Sequence, residues 1–244
     1  MAELIFLSFQ FNAFAIPWLT EKENPMNRRL SVSLCVLATA ALTMPGLFAQ
    51  GSKGGDNDPD RAVAGGKFPA GWSVRPDRGA PDQINFMQMG NMMHFVMGPA
   101  GTFYNPAWTK SGNFKYSAKL TQVKKASHPT SYGLMFGGKD LAGPMQTYSY
   151  FLVRQTGEFY IANREGDARP ITVTPWTANA AIVKEGSDGK QANTLGVEVQ
   201  GDNVIFSVNG TEVTRMAKSK LHTDGMIGLR IGHNLDVDVD QISR

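Results

Sequence analysis

Cysteine is almost absent from this sequence: Cys35 is the single thiol among 244 residues. It lies in an apolar run, residues 30–44, which we expect to be removed as part of a leader. The remaining chain of roughly 195 residues would then have no disulfide, no thiolate metal ligand and no cysteine nucleophile. A chain of that length can bury about 70% of its unfolded surface without covalent cross-links.

Strong charge of either sign is also missing. The formal net charge is +3 at pH 7, and the basic residues form no dense cluster. Such weak, dispersed charge gives no reason to expect a nucleic acid or an anionic membrane surface as partner. The apolar run at 30–44 is shorter than the roughly 20 residues that span a bilayer, so we expect no membrane span in the mature chain.

Residues 1–49 are expected to be a leader region rather than part of the fold. A basic start at 26–29 precedes the apolar run at 30–44, and Leu47-Phe48-Ala49 follows it, as in a secretory signal. We expect cleavage after Ala49 and therefore an exported protein, either periplasmic or secreted.

The first 25 residues fit this signal poorly, because they carry three glutamates and a second apolar patch at 4–18. The simplest interpretation is that translation starts at Met26. A membrane anchor at 4–18 is the alternative, although Gln10 and Asn12 interrupt it and polar groups in lipid lack partners.

Residues 50–67 are glycine-rich, acidic and poor in apolar side chains, which predicts a flexible linker. Its segment 56–60 (Asp-Asn-Asp-Pro-Asp) resembles a calcium loop but lacks the central Gly and terminal Glu of an EF-hand.

From 68 to 244, short runs of alternating apolar and polar residues are separated by Gly, Asn and Asp, with no helical period. About a dozen such strands predict a single all-β domain, an antiparallel sandwich or barrel.

Several segments of this domain resemble a known family. They are Ser-Tyr-Gly-Leu-Met-Phe-Gly-Gly at 131–138, Asn-Thr-Leu-Gly-Val-Glu-Val at 193–199, Val-Ile-Phe-Ser-Val-Asn-Gly at 204–210 and Gly-Met-Ile-Gly-Leu-Arg at 225–230. In this order they resemble the concanavalin A-like lectin/glucanase superfamily, especially its 3-keto-disaccharide-hydrolase-like and laminin-G-like domains. The resemblance implies a jelly roll of two sheets, with a carbohydrate or partner site on the concave sheet face. It does not imply an activity, because fold does not fix function.

An aromatic hairpin at 148–164 is the first candidate site. The alternation of strands places Tyr148, Tyr150 and Arg154 on one face of the first strand, and Tyr160 and Arg164 on one face of the second. A three-residue loop would bring both sets to one surface, where tyrosine rings and guanidinium donors suit sugar stacking and hydroxyl recognition. A two-residue loop would separate them, because a slip of one residue inverts the facing.

A second candidate group lies in loops or at strand ends. Trp108 and Trp176 lie where aromatic side chains that contact sugars are often found. We group Lys110, His233 and Asn234 with them. The alternative is an apolar plug that closes one end of the sandwich, with His233 acting as a simple hydrogen-bonding residue. We include Trp176 and His233 with the hairpin residues among the predicted substrate-binding residues.

Catalytic and cofactor motifs are missing. Glycoside hydrolysis uses two carboxylates across the scissile bond, but Glu165-Gly166-Asp167 is followed by Pro170 where the laminarinase-type pattern has a second Glu. Asp236, Asp238 and Asp240 alternate on one face of the last predicted strand; carboxylates suit calcium, but residues about 7 Å apart cannot all bind one ion. We interpret these three as charges that discourage edge pairing, and we predict no cofactor and no metal.

The sequence thus predicts an exported carbohydrate-related module that binds sugars or processes glycosides, with a carbohydrate or glycan as partner. The alternatives are a non-catalytic laminin-G-like interaction domain and a structural exported protein. If the protein is an enzyme, the resemblance implies a hydrolase like the 3-keto-disaccharide hydrolases. The sequence assigns no acid or base, and it does not determine the ligand or the oligomeric state.

Overall fold

Strands make up nearly all of the secondary structure in the computed structural model, which describes residues 58–244. The predicted leader and the first part of the predicted linker lie outside the described residues. The strands are β1 (Ser73–Pro76), β2 (Ile84–Met89), β3 (Met92–Met97), β4 (Gly101–Lys110), β5 (Phe114–Gln122), β6 (Ser131–Lys139), β7 (Thr147–Arg154), β8 (Glu158–Glu165), β9 (Ile171–Ala178), β10 (Gln191–Gln200), β11 (Asn203–Val208), β12 (Thr211–Ala217), β13 (Gly225–Ile231) and β14 (Asp236–Ser243). Two short 3-10 helices, Pro81–Gln83 and Lys218–Lys220, complete the described elements. Within 58–244, no helix is long and apolar enough to cross a membrane.

The strands form two seven-stranded sheets with antiparallel pairing. The first sheet has the order β1-β4-β13-β6-β7-β8-β9, and the second has the order β12-β11-β10-β5-β14-β3-β2. Strands distant in sequence are neighbours in both sheets, as β4 and β13 are in the first and β5 and β14 in the second. The predicted all-β, two-sheet jelly-roll β-sandwich is confirmed.

The main core fills the space between the two sheets. Phe103, Phe151 and Leu229 contribute to it from the first sheet, and Tyr116 and Phe206 from the second. Phe151 and Phe206 meet across the core with their ring centroids 5.1 Å apart. Burial of this apolar surface, at roughly 25 cal/mol per Å², drives the sheets together.

Residues 58–67, the described part of the predicted linker, contact the sandwich. The Arg61 backbone N–H donates to Asn234 Oδ1 at 2.7 Å, and its side chain donates to the carbonyl oxygens of Met97 and Leu235 and to the Asp236 carboxylate. Composition alone suggested a free tether here. The long-range partners of Arg61, which composition does not reveal, hold this part of the segment in place.

The last strand, β14, is interior to the second sheet, between β5 and β3. The interpretation of its three aspartates as protection of a sheet edge is therefore wrong. Each has a cationic or histidine partner instead: Asp236 pairs with Arg61 and Lys124, Asp238 lies 2.6 Å from His94 Nδ1, and Asp240 lies 3.6 Å from Lys119 Nζ.

Candidate functional site

The aromatic hairpin has the register of a three-residue loop. Arg154 pairs with Glu158, Leu152 with Tyr160 and Tyr148 with Arg164, so that residues 155–157 form the loop. Gly157 closes this loop at φ +86°, a conformation that a side chain would make costly. The register is therefore the one that brings the two sets of side chains to one surface.

This surface is the outer face of the first sheet. Phe151, Val153 and Ile161 point into the main core, so the alternate residues of β7 and β8 point away from it. We call the side chains that pack together there the outer aromatic cluster. Its members are Tyr104, Met135, Leu141, Tyr148, Tyr150, Leu152 and Ala162, with Tyr160, Trp176 and Met226 at its margin.

One half of this outer face is covered by the loop that follows β6. Leu141 of that loop is buried in the outer aromatic cluster. The Arg75 guanidinium holds the loop by donating to the carbonyl oxygens of Leu141 (3.3 Å) and Gly143 (2.9 Å). Tyr148 is consequently only 1% exposed and lies outside the open part of the face.

The other half of the outer face holds a cavity of about 350 Å³, which we call the outer-face cavity. Three aromatic rings, two guanidinium groups, one imidazole and several smaller strand and loop residues line it: Tyr150, Tyr160, Trp176, Arg154, Arg230, His233, Ala100, Pro129, Thr130, Ser131, Leu152, Ile231 and Gly232. Its volume and its mixture of aromatic walls with a few polar groups are typical of small-ligand sites.

Tyr160 and Trp176 form the aromatic wall of the outer-face cavity. Their rings are stacked, with centroids 5.0 Å apart and planes inclined by 26°. Arg154 lies over the Trp176 ring, with Cζ 4.4 Å from the ring centroid, and is oriented by an ion pair with Glu158 at 2.6 Å. Packing, a cation–π contact and an ion pair thus fix the geometry of this wall.

Arg230 also lines the outer-face cavity and lies over Tyr150, with Cζ 5.2 Å from the ring centroid. It is paired with Asp77 through both terminal nitrogens, and Nη1 also donates to Thr102 Oγ1 (3.1 Å) and to the Tyr148 hydroxyl (3.3 Å). Burial raises the pKa of the Asp77 carboxyl, but the Arg230 guanidinium outweighs this effect and holds that pKa below its usual value. Burial also raises the pKa of the neighbouring Tyr150 hydroxyl, which stays neutral.

The predicted site residues divide into two sets. Those that line the outer-face cavity are Tyr150, Arg154, Tyr160, Trp176 and His233. The others do not line it: Tyr148 packs under the covering loop, and Arg164 donates through Nε to the Gly166 carbonyl oxygen at 3.0 Å.

The second predicted group is not a single site. Trp108 packs edge-on against Trp72 and, with Arg244, lines a different cavity of about 580 Å³. Lys110 lies at the end of β4, opposite Gly225. Only Trp176 and His233 of this group line the outer-face cavity, and Asn234 follows His233 directly.

Sequence reasoning did not assign Arg230 to the site. A signal was present, because Ile227, Leu229 and Ile231 alternate as core residues of β13 and leave Arg230 on the opposite face. The contributions of Ser131 and Ala100 had no comparable signal, since they depend on the pairing of β6 and β4 with β13.

His233 belongs to a hydrogen-bonded set that we call the histidine network: Asp58, Asp60, His128 and His233. His233 Nε2 lies 2.7 Å from His128 Nε2, and His233 Nδ1 lies 3.2 Å from Asp60 Oδ1. His128 Nδ1 in turn lies 2.8 Å from Asp58 Oδ2. Hydrogen bonds from Arg78, at 2.7 Å to each oxygen, hold the pKa of the Asp60 carboxyl below its usual value. The two aspartates come from the predicted linker.

Carboxylates are missing from the walls of the outer-face cavity: none of the described residues that line it is Asp or Glu. The two-carboxylate arrangement of most glycoside hydrolases therefore has no counterpart on these walls. The groups that face the cavity are rings, guanidinium donors, hydroxyls and one imidazole. This set is suited to binding a polar ligand with flat apolar faces.

Comparisons with known proteins give the following matches. The chain is similar to the carbohydrate-binding module CBM66 from Bacillus subtilis, with a TM-score of 0.49 and 15% identity over 75% of this chain and 98% of that one. It is also similar to a Bacteroides ovatus mixed-linkage glucan GH16 protein in complex with its product (TM-score 0.48, 12% identity, 70% of this chain and 94% of that one). A third match is a Bacillus subtilis protein of unknown function with a galectin-like fold (TM-score 0.49, 11% identity, 70% and 87%).

No family model matches the chain, and no curated protein matches it. The narrower resemblance to 3-keto-disaccharide-hydrolase-like or laminin-G-like domains therefore stays a prediction. Similarities at this level of identity and TM-score do not indicate what this chain binds.

Proposed function

We propose that this protein binds a carbohydrate in the outer-face cavity, with the sugar ring packed against Tyr160 and Trp176. The observation that carries the proposal is the stacked, half-buried pair of rings beside two positioned guanidinium groups. A sugar has apolar C–H faces and a polar edge. Aromatic rings pack against the faces, and amphipathic ring residues are enriched where one side of a ligand is apolar and the other polar.

The guanidinium groups favour a neutral sugar over an acidic one. Arg154 already pairs with Glu158, and Arg230 already pairs with Asp77. With their charge compensated, they act as oriented N–H donors to hydroxyl oxygens rather than as counter-ions. Ser131 and Thr130 add short polar groups to the lining of the cavity.

The remaining expectations from sequence belong to the same proposal. We propose that residues 1–49 direct export, and that the sandwich domain of 68–244 functions in the periplasm or outside the cell. The order of a basic start, an apolar run and a small-residue exit at 26–49 supports this. Binding outside the cytoplasm is consistent with a glycan ligand.

The test is a glycan array followed by calorimetry on the purified protein, with neutral and uronic-acid oligosaccharides as separate sets. We expect binding within the neutral set, and a loss of affinity of at least about tenfold in Trp176→Ala, equivalent to about 1.4 kcal/mol. Trp108→Ala is the matched control, because Arg244 lies over Trp108 at 4.1 Å much as Arg154 lies over Trp176.

Two results would contradict the proposal. One is the lack of any bound glycan in both assays. The other is unchanged affinity in Trp176→Ala and Arg154→Ala, with thermal melting showing that both variants are folded. Equal losses in Trp176→Ala and Trp108→Ala would point to a general effect on the fold rather than to contacts in this cavity.

A glycoside-processing enzyme is the second candidate, and one observation favours it. His233 lines the outer-face cavity, and its Nδ1 faces the Asp60 carboxylate, a contact that orients the imidazole of a general base. Its Nε2 lies against His128 and must move away from that ring to accept a proton. A hydrolysis screen that includes 3-keto-disaccharides tests this candidate, which the family resemblance also implies. Turnover that is lost in His233→Gln while glycan binding is kept would favour the enzyme over the binding module.

A further inference from the structure

The histidine network brings together three separate segments of the chain. Asp58 comes from the segment before β1, His128 from the β5–β6 connection and His233 from the β13–β14 connection. The Gln155 side chain donates to the His128 carbonyl oxygen at 3.0 Å, and Asn234 donates through Nδ2 to Asp58 Oδ2 at 3.0 Å. The network is therefore built on hydrogen-bonded loops and does not rest on one flexible side chain.

The hydrogen bonding of the two imidazoles poses an electrostatic problem. Each Nδ1 faces a carboxylate oxygen, Asp58 for His128 and Asp60 for His233. Carboxylates accept hydrogen bonds, so each Nδ1 carries the proton and each Nε2 presents a lone pair. Those two lone pairs face one another at an Nε2–Nε2 distance of 2.7 Å. Such an approach is stable only when a positive species, a proton or a metal ion, lies between the rings.

We propose that His128, His233 and Asp58 bind one divalent transition-metal ion of the Zn²⁺ type at the rim of the outer-face cavity. One ligand atom from each of the three residues lies within 4.8 Å of the other two. Zinc–nitrogen and zinc–oxygen bonds are about 2.0–2.2 Å long, so side-chain shifts of less than about 1 Å bring the two Nε2 atoms to one ion. Asp58 reaches that ion by exchanging its contact with His128 Nδ1 for a bond to the metal.

The surroundings of the two histidines resemble those of metal ligands. Ligating histidines usually donate their other ring N–H to a carboxylate, which fixes the ring and its tautomer. Asp60 has this relation to His233, and Arg78 fixes Asp60 in turn with two bonds of 2.7 Å. Imidazole nitrogens favour zinc and other late first-row ions over calcium, which prefers six to eight oxygen ligands.

The proposed ion would have two consequences. It would tie the segment at Asp58 to the β5–β6 and β13–β14 connections, and His233 would place it in the wall of the outer-face cavity. The proposal does not depend on the identity of the ligand in that cavity, because it is argued from the four side chains of the histidine network alone.

The experiment is metal analysis and calorimetry on the purified protein after dialysis against EDTA. We expect one Zn²⁺ per chain, little binding of Ca²⁺, and a rise of about 5–10 °C in the melting temperature at a Zn²⁺ concentration a hundred times the dissociation constant. His128→Gln and His233→Gln should each weaken Zn²⁺ binding by at least about a hundredfold, and Asp60→Asn by about 10–100-fold.

His222→Gln is the matched control. The chain has four histidines, and His222 also faces a carboxylate, with Nε2 3.5 Å from Glu165 Oε1, but lies outside the network. This variant should bind Zn²⁺ as tightly as the wild type. Melting curves in EDTA check that each variant is folded before Zn²⁺ is added.

Nitrogen-15 NMR of the imidazoles separates the metal from a shared proton. Zinc should shift the ring-nitrogen resonances of His128 and His233 and leave those of His94 and His222 in place. The proposal is overturned if no ion binds with a dissociation constant below about 100 μM, or if His128→Gln and His233→Gln bind Zn²⁺ like the wild type. It is also overturned if the two imidazoles keep a shared proton in excess Zn²⁺.

Discussion

The outer faces of the two sheets differ in how far their side chains are buried. In β5 of the second sheet, buried residues alternate with exposed or half-buried ones along the whole strand. In β7 of the first sheet, six consecutive residues are buried. The outer face of the second sheet meets solvent, with cross-strand pairs such as Lys115 with Glu198. The outer face of the first sheet instead supports a second layer of packing.

The outer face of the second sheet also has a cavity, of about 380 Å³ and lined in part by Lys115 and Glu198, so the two faces differ in how firmly the lining groups are held. A face of solvated ion pairs places each charged group in water, where a ligand gains little by replacing it. On the first sheet, the outer aromatic cluster removes Tyr150 from water and leaves Arg230 bound to Asp77 in a largely buried position. Groups held in this way keep their orientation without a ligand, which lowers the entropic cost of binding one.

The largest expected effect comes from breaking the ion pair on the first sheet. Arg230→Met leaves the Asp77 carboxylate without its partner, and removing one member of a buried pair costs about 3–5 kcal/mol. The Asp77 side chain keeps 31% of its surface exposed, so we expect the lower end, about 3 kcal/mol, in urea unfolding. Arg215→Met is the control: the pair of Arg215 with Glu212 is exposed, and its loss should change stability little.

The double variant Arg230→Met/Asp77→Leu sharpens this result. It removes both charges together, and apolar replacements of a buried pair are often neutral or stabilising. We expect most of the stability lost in Arg230→Met to return. Glycan binding should be weakened in both variants, because both lack the guanidinium donors of Arg230 in the outer-face cavity. Equal stability of the single and the double variant would show that the unpaired carboxylate is not the source of the cost.

The second effect is a dependence on acid. Folding lowers the pKa values of Asp77 and Asp236. Burial raises both pKa values, but Arg230 outweighs this effect at Asp77, and Lys124 and Arg61 outweigh it at Asp236. A carboxyl with a lowered pKa in the folded state stabilises the protein fully at pH values above its pKa in the unfolded state, which is about 4. This stabilisation is lost as the pH falls through the pKa of the folded state.

We therefore expect the free energy of unfolding to fall between pH 5 and pH 2, measured by urea unfolding at each pH. Asp77→Asn should be less stable than the wild type at pH 7 and should lose less stability on acidification. A variant with the same slope as the wild type below pH 4 would show that Asp77 does not carry this dependence.

The sequence indicated about a dozen of the fourteen described strands, all but β1 and β4, and part of one wall of the cavity. Alternation placed Tyr150 and Arg154 on one face of the first strand, but whether Tyr160 shares that face depended on the loop length, and two lengths remained open. Gly157, at φ +86°, belongs to the three-residue loop that decides between them. The sequence also indicates the continuous burial of β7. Residues 150–153 (Tyr-Phe-Leu-Val) form an unbroken apolar run, which is typical of a strand covered on both faces.

The rest of the site depends on contacts that one sequence does not reveal. Arg230 reaches the cavity because β13 pairs with β6, about 90 residues earlier in the chain. Asp58 and Asp60 were assigned to a linker because their neighbours are glycines and acidic residues, whereas their partners His128 and His233 lie far along the chain. Local composition describes the neighbours of a residue in sequence, and these roles are fixed by neighbours in space.

The smallest expected effect is on the second sheet. Lys115→Ala removes an ion pair with Glu198 at 3.0 Å in which the Lys115 side chain is 76% exposed. Water and salt screen such a pair, so we expect a loss of stability below about 0.5 kcal/mol, smaller still in 1 M salt. Urea unfolding at low and high salt measures it. A loss as large as that of Arg230→Met would mean that the two outer faces do not differ in the way their burial indicates, because charge pairs would then stabilise both to the same extent.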